Sequence, residues 1–212
     1  IGNSLTALGS VTIEASKIGV ETNQSIGMNL NVGNDDRFGK LTIKSDTKAE
    51  NFTLDGVLTI NNSAGMNGCT GCAFDIELGS SGGTNKLSDQ TLGLQVNGGL
   101  TAIGKAGSNT ITEIKAKGFT FGDDSVVTSK DGTLRLKIKD NGNEVTLGKL
   151  LNLQGNESSD TKFLVANDSG AYGVTLKLHD IQATGKASVD MNKLEFIDSN
   201  IKVSNSGSNR LT

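Results

Sequence analysis

The chain has 212 residues, 20 Lys and Arg against 23 Asp and Glu, and a formal net charge of −3. This mild acidity argues against a nucleic-acid-binding protein or a protein attracted to an anionic membrane surface. The apolar runs are too short for a membrane-spanning helix. The chain has no proline and no tryptophan but 28 glycines, and it opens without Met or a signal peptide, so we expect a segment cut from a longer protein.

Short alternations of apolar and polar residues run along the chain with the two-residue period of a half-buried strand, and turn residues separate them. Helical spacing is nearly absent; 148–155 is ambiguous, and its flanking glycines favour a short strand. The pattern predicts strands, in chain order, at 10–15, 27–32, 39–45, 51–56, 56–61, 72–78, 91–96, 109–116, 118–122, 132–140, 144–148, 148–155, 173–180, 193–198 and 200–205.

Two all-β architectures are compatible with these strands. A sandwich would pair them antiparallel, whereas a β-solenoid would coil them in parallel, with each turn stacked on the last. The central apolar residues recur about every 20 residues and predict about ten coils with two or three strands each. These residues are Ile13, Leu30, Leu54, Ile76, Leu94, Ile114, Leu136, Leu153, Leu176 and Phe196. The absence of proline favours the solenoid, in which nearly every backbone N–H donates to a neighbouring coil.

Three glycine- and polar-rich segments interrupt this rhythm, at 61–72, 79–90 and 155–162. We expect them to protrude as loops from a single solenoid spanning 1–212. Loops on a rigid scaffold commonly carry binding residues.

Both cysteines, Cys69 and Cys72, lie in the first of these loops. A zinc site needs four ligands, and the chain adds only His179, about a hundred residues away. A redox pair needs a following helix, whereas a strand is predicted after Cys72. A small disulfide loop is therefore favoured over zinc, redox chemistry and free thiols, and it would imply an oxidising compartment.

Two acidic pairs, Asp35–Asp36 and Asp123–Asp124, are the residues to test for a polysaccharide-degrading β-helix enzyme. Both pairs also fit ordinary turn sequences. His179 is expected on the surface of a strand, where it cannot complete a catalytic triad with Asp180, because adjacent strand residues point to opposite faces. The sequence therefore predicts no catalytic residues, no metal and no cofactor.

Three runs, 9–21, 38–65 and 143–155, resemble in residue composition and pattern the Asn-, Gly- and Ser-rich passenger segments of bacterial autotransporters (type V secretion). These include the vacuolating-toxin-like passengers of Helicobacter-type bacteria. The two closely spaced cysteines also resemble those of such passengers, which typically have few cysteines and have them close together. The resemblance implies a right-handed parallel β-helix, secretion to the surface of a Gram-negative cell, and a role in adhesion, colonisation or toxin action. It carries over no catalytic residue.

The sequence thus leads us to expect an extracellular, non-enzymatic segment of a surface adhesin, a stiff rod that presents loops to a host-cell protein or glycan. Self-association through the solenoid ends or sides is a second expected interaction, and membrane attachment would require a C-terminal translocator outside the chain. The alternatives are a toxin segment that acts by oligomerising, a polysaccharide-degrading enzyme and a surface-layer protein. The candidate binding residues are Asn67, Thr70, Thr84, Asn85 and Lys86.

Overall fold

The computed structural model describes residues 4–7, 10–15, 24–26, 29–32, 40–45, 51–63, 73–80, 93–108, 110–138, 144–156, 160–167, 174–191, 193–197, 201–203 and 210–211. None of these residues is helical, and they form twenty-three strands, numbered β1 to β23 in chain order. Every pairing between these strands is parallel, so the fold is a β-solenoid rather than the alternative antiparallel sandwich.

The strands form two eight-stranded sheets and two shorter ones. Sheet A contains β1 Ser4–Ala7, β4 Asn29–Val32, β7 Val57–Asn61, β10 Gly99–Ile103, β13 Val126–Lys130, β16 Leu150–Gln154, β19 Asp180–Thr184 and β22 Ile201–Val203. Sheet B contains β2 Ser10–Ala15, β5 Lys40–Ser45, β8 Ala73–Ser80, β11 Ile111–Ala116, β14 Thr133–Ile138, β17 Thr161–Asn167, β20 Lys186–Asp190 and β23 Arg210–Leu211. Sheet C contains β3 Gln24–Ile26, β6 Asn51–Leu54, β9 Gly93–Val96 and β12 Phe119–Phe121, and sheet D contains β15 Glu144–Thr146, β18 Thr175–Leu178 and β21 Lys193–Phe196.

The chain visits the sheets in strict rotation. One strand in sheet A is followed by one in sheet B and then by one in sheet C or, from β15 onward, in sheet D. Each coil therefore consists of three strands, and a parallel neighbour always comes from the next coil.

The registers give the length of each coil. Leu58, Leu100, Val127, Leu151 and Ile181 are successive partners in sheet A, so these coils advance by 42, 27, 24 and 30 residues. The predicted repeat of about 20 residues is shorter than each of these steps, and the count of about ten coils is not confirmed. The residues used to count coils belong to different sheets; for example, Ile114 lies in sheet B and Leu153 in sheet A.

The interior is a column of aliphatic side chains. The five stacked residues of sheet A are buried, and Leu134, Leu136 and Ile138 of β14 face them from sheet B. Alternation along each strand sends every second side chain inward, which is why the two-residue sequence pattern marks these strands. Each of the fifteen predicted strands overlaps an observed strand, including the ambiguous 148–155, which contains β16.

The corner between sheets A and B is stacked through its backbone. The amide of Gly104 donates to the carbonyl of Lys130 (2.8 Å), that of Asp131 to Gln154 (3.0 Å), and that of Gly155 to Thr184 (2.8 Å). Asp131 has a φ of 51°, a left-handed conformation that Asp tolerates better than most residues. This corner fixes the edge of the site described next.

Candidate functional site

The outer face of sheet A presents polar side chains in register. One row runs through Thr59, Thr101, Thr128, Asn152 and Gln182, each paired with the next residue across the sheet. Successive members are separated by one strand spacing, about 4.8 Å. The sheet therefore repeats hydrogen-bonding groups along the solenoid axis.

A second row lies nearer the corner. It contains Lys130, Gln154 and Thr184, which are successive register partners. Where the two rows meet the corner, the surface is concave and encloses about 350 Å³. The groove is lined by Lys130, Asp131, Asn152, Gln154, Gly155, Asn156, Gln182 and Thr184. Three consecutive coils, those that contain β13, β16 and β19, contribute to it.

The amides of this groove are available for a ligand. Asn152, Gln154 and Gln182 are half-buried, and within the part of the chain that the structure describes their side chains form no hydrogen bond. A side-chain amide has one acceptor oxygen and two N–H donors. Partly desolvated amides without a protein partner gain from a ligand that supplies both donors and acceptors.

The corner side of the groove is held in place by a hydrogen bond between coils. Asn156 Nδ2 donates to Asp131 Oδ1 over 2.6 Å, which joins two neighbouring coils across the corner. The Asp131 carboxylate is thereby partly engaged. Lys130, at the exposed end of β13, forms no ion pair with the residues that the structure describes.

The outer face of sheet B is different, because its charges contact each other. Glu113 of β11 is only 4% exposed, although it lies at an outward position of the strand, between the buried Thr112 and Ile114. Arg135 Nη1 donates to Glu113 Oε2 over 2.8 Å, and the ammonium groups of Lys137 and Lys115 each lie 3.5 Å from the carboxylate. We call these four residues the Glu113 cluster.

The cluster holds Glu113 in its charged form. Burial raises the pKa of this carboxyl, but the hydrogen bond from Arg135 and the charges of Lys137, Arg135 and Lys115 outweigh that effect, and the pKa lies below its ordinary value of 4.5. The carboxylate uses its acceptor capacity on protein donors. The cluster therefore stabilises the sheet and offers little to a ligand.

Polar groups inside the A–B corner are also satisfied by protein. Thr161 Oγ1 donates to the carbonyl of Gly132 (3.0 Å), and Ser129 Oγ donates to the carbonyl of Lys162 (3.0 Å). Both residues are buried. They fix the corner and do not face the groove from outside.

The residues predicted to bind a receptor lie outside the described residues. This applies to Asn67, Thr70, Thr84, Asn85 and Lys86. The predicted disulfide has no support from the structure for the same reason, since Cys69 and Cys72 also lie outside. In the third predicted loop, 155–162, Gly155 and Asn156 line the groove, and residues 157–159 lie outside the described residues, so the loop stays a prediction.

Those of the remaining predicted residues that the structure describes are not brought together as a reactive site. Asp123 and Asp124 are exposed in a turn, Asp35 and Asp36 lie outside the described residues, and His179 is half-buried in the bend between β18 and β19. Among the described residues, no three His, Cys, Asp or Glu side chains are grouped so that they could hold a metal ion.

Sequence reasoning missed the groove, although a signal was present. Asn152 and Gln154 are the outward positions of one strand, and Gln182 and Thr184 are those of the next strand of the same sheet. The sequence does not show that these strands are neighbours, because the residues of sheets B and D separate them in the chain. Their common surface emerges only with the register.

Comparison with protein-family models, curated proteins and solved structures found no match. No helix long and apolar enough to cross a membrane occurs among the described residues. The function must therefore be inferred from the fold and from the chemistry of the groove.

Proposed function

We propose that this chain is an extracellular, non-enzymatic segment of a bacterial surface adhesin, the passenger of an autotransporter, and that its right-handed β-helix binds a host-cell glycan through the groove on sheet A. One observation carries the proposal: Asn152, Gln154 and Gln182 present side-chain amides on one concave surface, and these amides form no hydrogen bond with the described residues. Sugar hydroxyls both donate and accept hydrogen bonds, as amides do.

The solenoid explains how such a surface would work. Each coil stacks only on its neighbours, so the fold is a stiff rod whose length grows with the number of coils. A rod of this kind would hold the groove away from the cell that displays it. A shallow polar groove gives weak single-site affinity, and display of many copies on one cell would compensate through avidity.

The experiment is a glycan array probed with purified wild type and with Asn152→Ala/Gln182→Ala. We expect wild type to bind a defined set of glycans and the double variant to lose most of that signal. The matched control is Thr133→Ala/Ser188→Ala, which removes two polar side chains from outward positions of sheet B. This control should bind like wild type.

Two outcomes would contradict the proposal. Wild type that binds no glycan and no host cell would remove its basis, and assembly into oligomers in that case would favour the toxin alternative. Equal loss in both double variants would show that the groove is not the site. The loops at 61–72 and 79–90 stay predictions, and replacement of 79–90 by a short Gly-Ser turn tests whether they add to host-cell attachment.

A further inference from the structure

We infer that the ligand of the sheet A groove is a sparsely charged acidic glycan, one whose sugar carboxylate pairs with Lys130 while its hydroxyl and amide groups bind Asn152, Gln154 and Gln182. This inference rests on the proposed function and names the ligand class for the same groove. It depends on how charge and neutral polar groups are distributed over the surface.

Lys130 supplies the recognition of charge. Its register partners on either side are Gln154 and, through β10, Ile103, both uncharged. It has no ion pair within the described part of the chain. An exposed ammonium at the edge of a partly desolvated groove is a site for a carboxylate, because lysine acts as a compact point charge and does not require the fork geometry of arginine.

The neighbouring acid limits how much negative charge the groove accepts. Asp131 lies beside Lys130 in the groove lining, and Asn156 holds its carboxylate through the 2.6 Å hydrogen bond. The two charges bring the lining close to neutral. A densely sulfated polymer would place further sulfates near the Asp131 carboxylate, whereas a chain with one carboxylate every second sugar can pair with Lys130 and present neutral groups to Asp131.

The neutral side chains set the direction of the ligand. Asn152 pairs with Gln182 and Gln154 pairs with Thr184, so equivalent groups repeat along the solenoid axis at about 4.8 Å. A glycan that lies along this axis meets an amide or hydroxyl at each coil. Lys130 stands at the β13 end of the second row, so the carboxylate of the ligand is expected at that end.

The test measures binding of intact wild type to a hyaluronan octasaccharide, an otherwise neutral oligosaccharide with one terminal sialic acid, the carboxyl-reduced form of each, and heparin. We expect at least one acidic oligosaccharide to bind, its reduced form to bind roughly two- to fivefold more weakly, and heparin to bind less well than the hyaluronan fragment. Lys130→Gln should weaken binding of the acidic form to the level of the reduced form, and Lys130→Arg should retain much of the binding.

Lys162→Gln is the matched control, because Lys162 is an exposed lysine on the outer face of sheet B. It should leave every affinity unchanged. Equal binding of acidic and reduced forms, or preference for heparin, would overturn the inference while the proposed function stands. Binding of neutral array glycans alone would also overturn the inference and leave the proposed function in place. Absence of binding to every glycan would overturn the proposed function as well.

Discussion

The outer face of sheet A carries half-buried amides that form no hydrogen bond with the described residues, whereas the outer face of sheet B carries a carboxylate that three cations surround. Both faces are built on the same coils and the same interior. In the Glu113 cluster the polar groups satisfy each other, and in the groove Asn152, Gln154 and Gln182 do not.

This difference separates stability from recognition. A charge that is buried and paired contributes to folding and is costly to leave alone, so variants of sheet B should change the free energy of unfolding. An amide that has no protein partner can be removed at little cost to folding, so variants of sheet A should change binding. Five predictions test this separation, from the largest expected effect to the smallest.

The corner shared by the two faces should be the most sensitive position. A Cβ on Gly104 would lie 2.5 Å from the carbonyl oxygen of Asp131, which is backbone and cannot move aside cheaply. We expect Gly104→Ala to lower the free energy of unfolding by roughly 2 to 3 kcal/mol. Thermal denaturation followed by circular dichroism measures this, and groove binding should weaken with it.

Gly118→Ala is the control for that prediction. A Cβ at Gly118 has nothing within 4 Å, so the change should stay within about 0.5 kcal/mol. Equal destabilisation by the two alanines would show that close packing at the A–B corner does not limit stability.

Loss of the Glu113 charge should destabilise sheet B alone. Glu113→Gln leaves Arg135, Lys137 and Lys115 without their carboxylate, and we expect a cost of about 1 to 2 kcal/mol at pH 7. Glycan binding in the groove should be unchanged. Chemical denaturation measures the loss of stability, and the glycan assay on the same sample checks that binding is unchanged.

The stability that the Glu113 carboxylate contributes should decrease as the pH falls. Because the pKa of Glu113 is lowered on folding, its charged form contributes stability that is present above the ordinary value of 4.5 and is lost as the pH falls through the lower folded pKa. The difference between wild type and Glu113→Gln should thus shrink below about pH 4.5. A difference that grows under acid would contradict the geometry of the cluster.

The groove variants should weaken glycan binding and leave the free energy of unfolding nearly unchanged, which is the opposite of the result expected for Glu113→Gln. Asn152→Ala/Gln182→Ala removes two side chains that have no hydrogen bond within the described residues, so we expect a change in unfolding free energy within about 0.5 kcal/mol. Differential scanning fluorimetry measures it. A loss comparable with that of Glu113→Gln would mean that these amides stabilise the fold.

The smallest effect is expected at the Glu144–Lys177 pair of sheet D. Its 2.8 Å distance equals that between Glu113 and Arg135, but the Glu144 side chain is 57% exposed against 6% for Glu113. Glu144→Gln should cost at most about 0.5 kcal/mol, and less in high salt. A cost equal to that of Glu113→Gln would show that burial does not explain the strength of the cluster.

Strand positions were predictable because half of each strand faces an aliphatic interior. The alternation of apolar and polar residues did not predict strands whose inward positions are small or polar. Examples are β13 with Ser129 and β20 with Ala187. Such residues fit the narrow corner but weaken the alternation in the sequence. The fold class followed from many strands together, so these omissions did not affect it.

The number of coils and the groove were not predictable for a shared reason. Both depend on which strands are neighbours, and the coil length varies from 24 to 42 residues between β7 and β19. A sequence without an exact repeat does not reveal that Gln154 lies beside Thr184. The row of groove amides became apparent only when the parallel register placed Asn152, Gln154 and Gln182 on one surface.

The most direct test of glycan binding by sheet A is an NMR titration of isotope-labelled wild type with the glycan that it binds best on the array. We predict that the side-chain NH₂ resonances of Asn152, Gln154 and Gln182 shift together and saturate at one affinity, while the backbone resonances of β11 and β14 stay in place. Shifts confined to sheet B, or to residues 79–90, would contradict the assignment of recognition to sheet A.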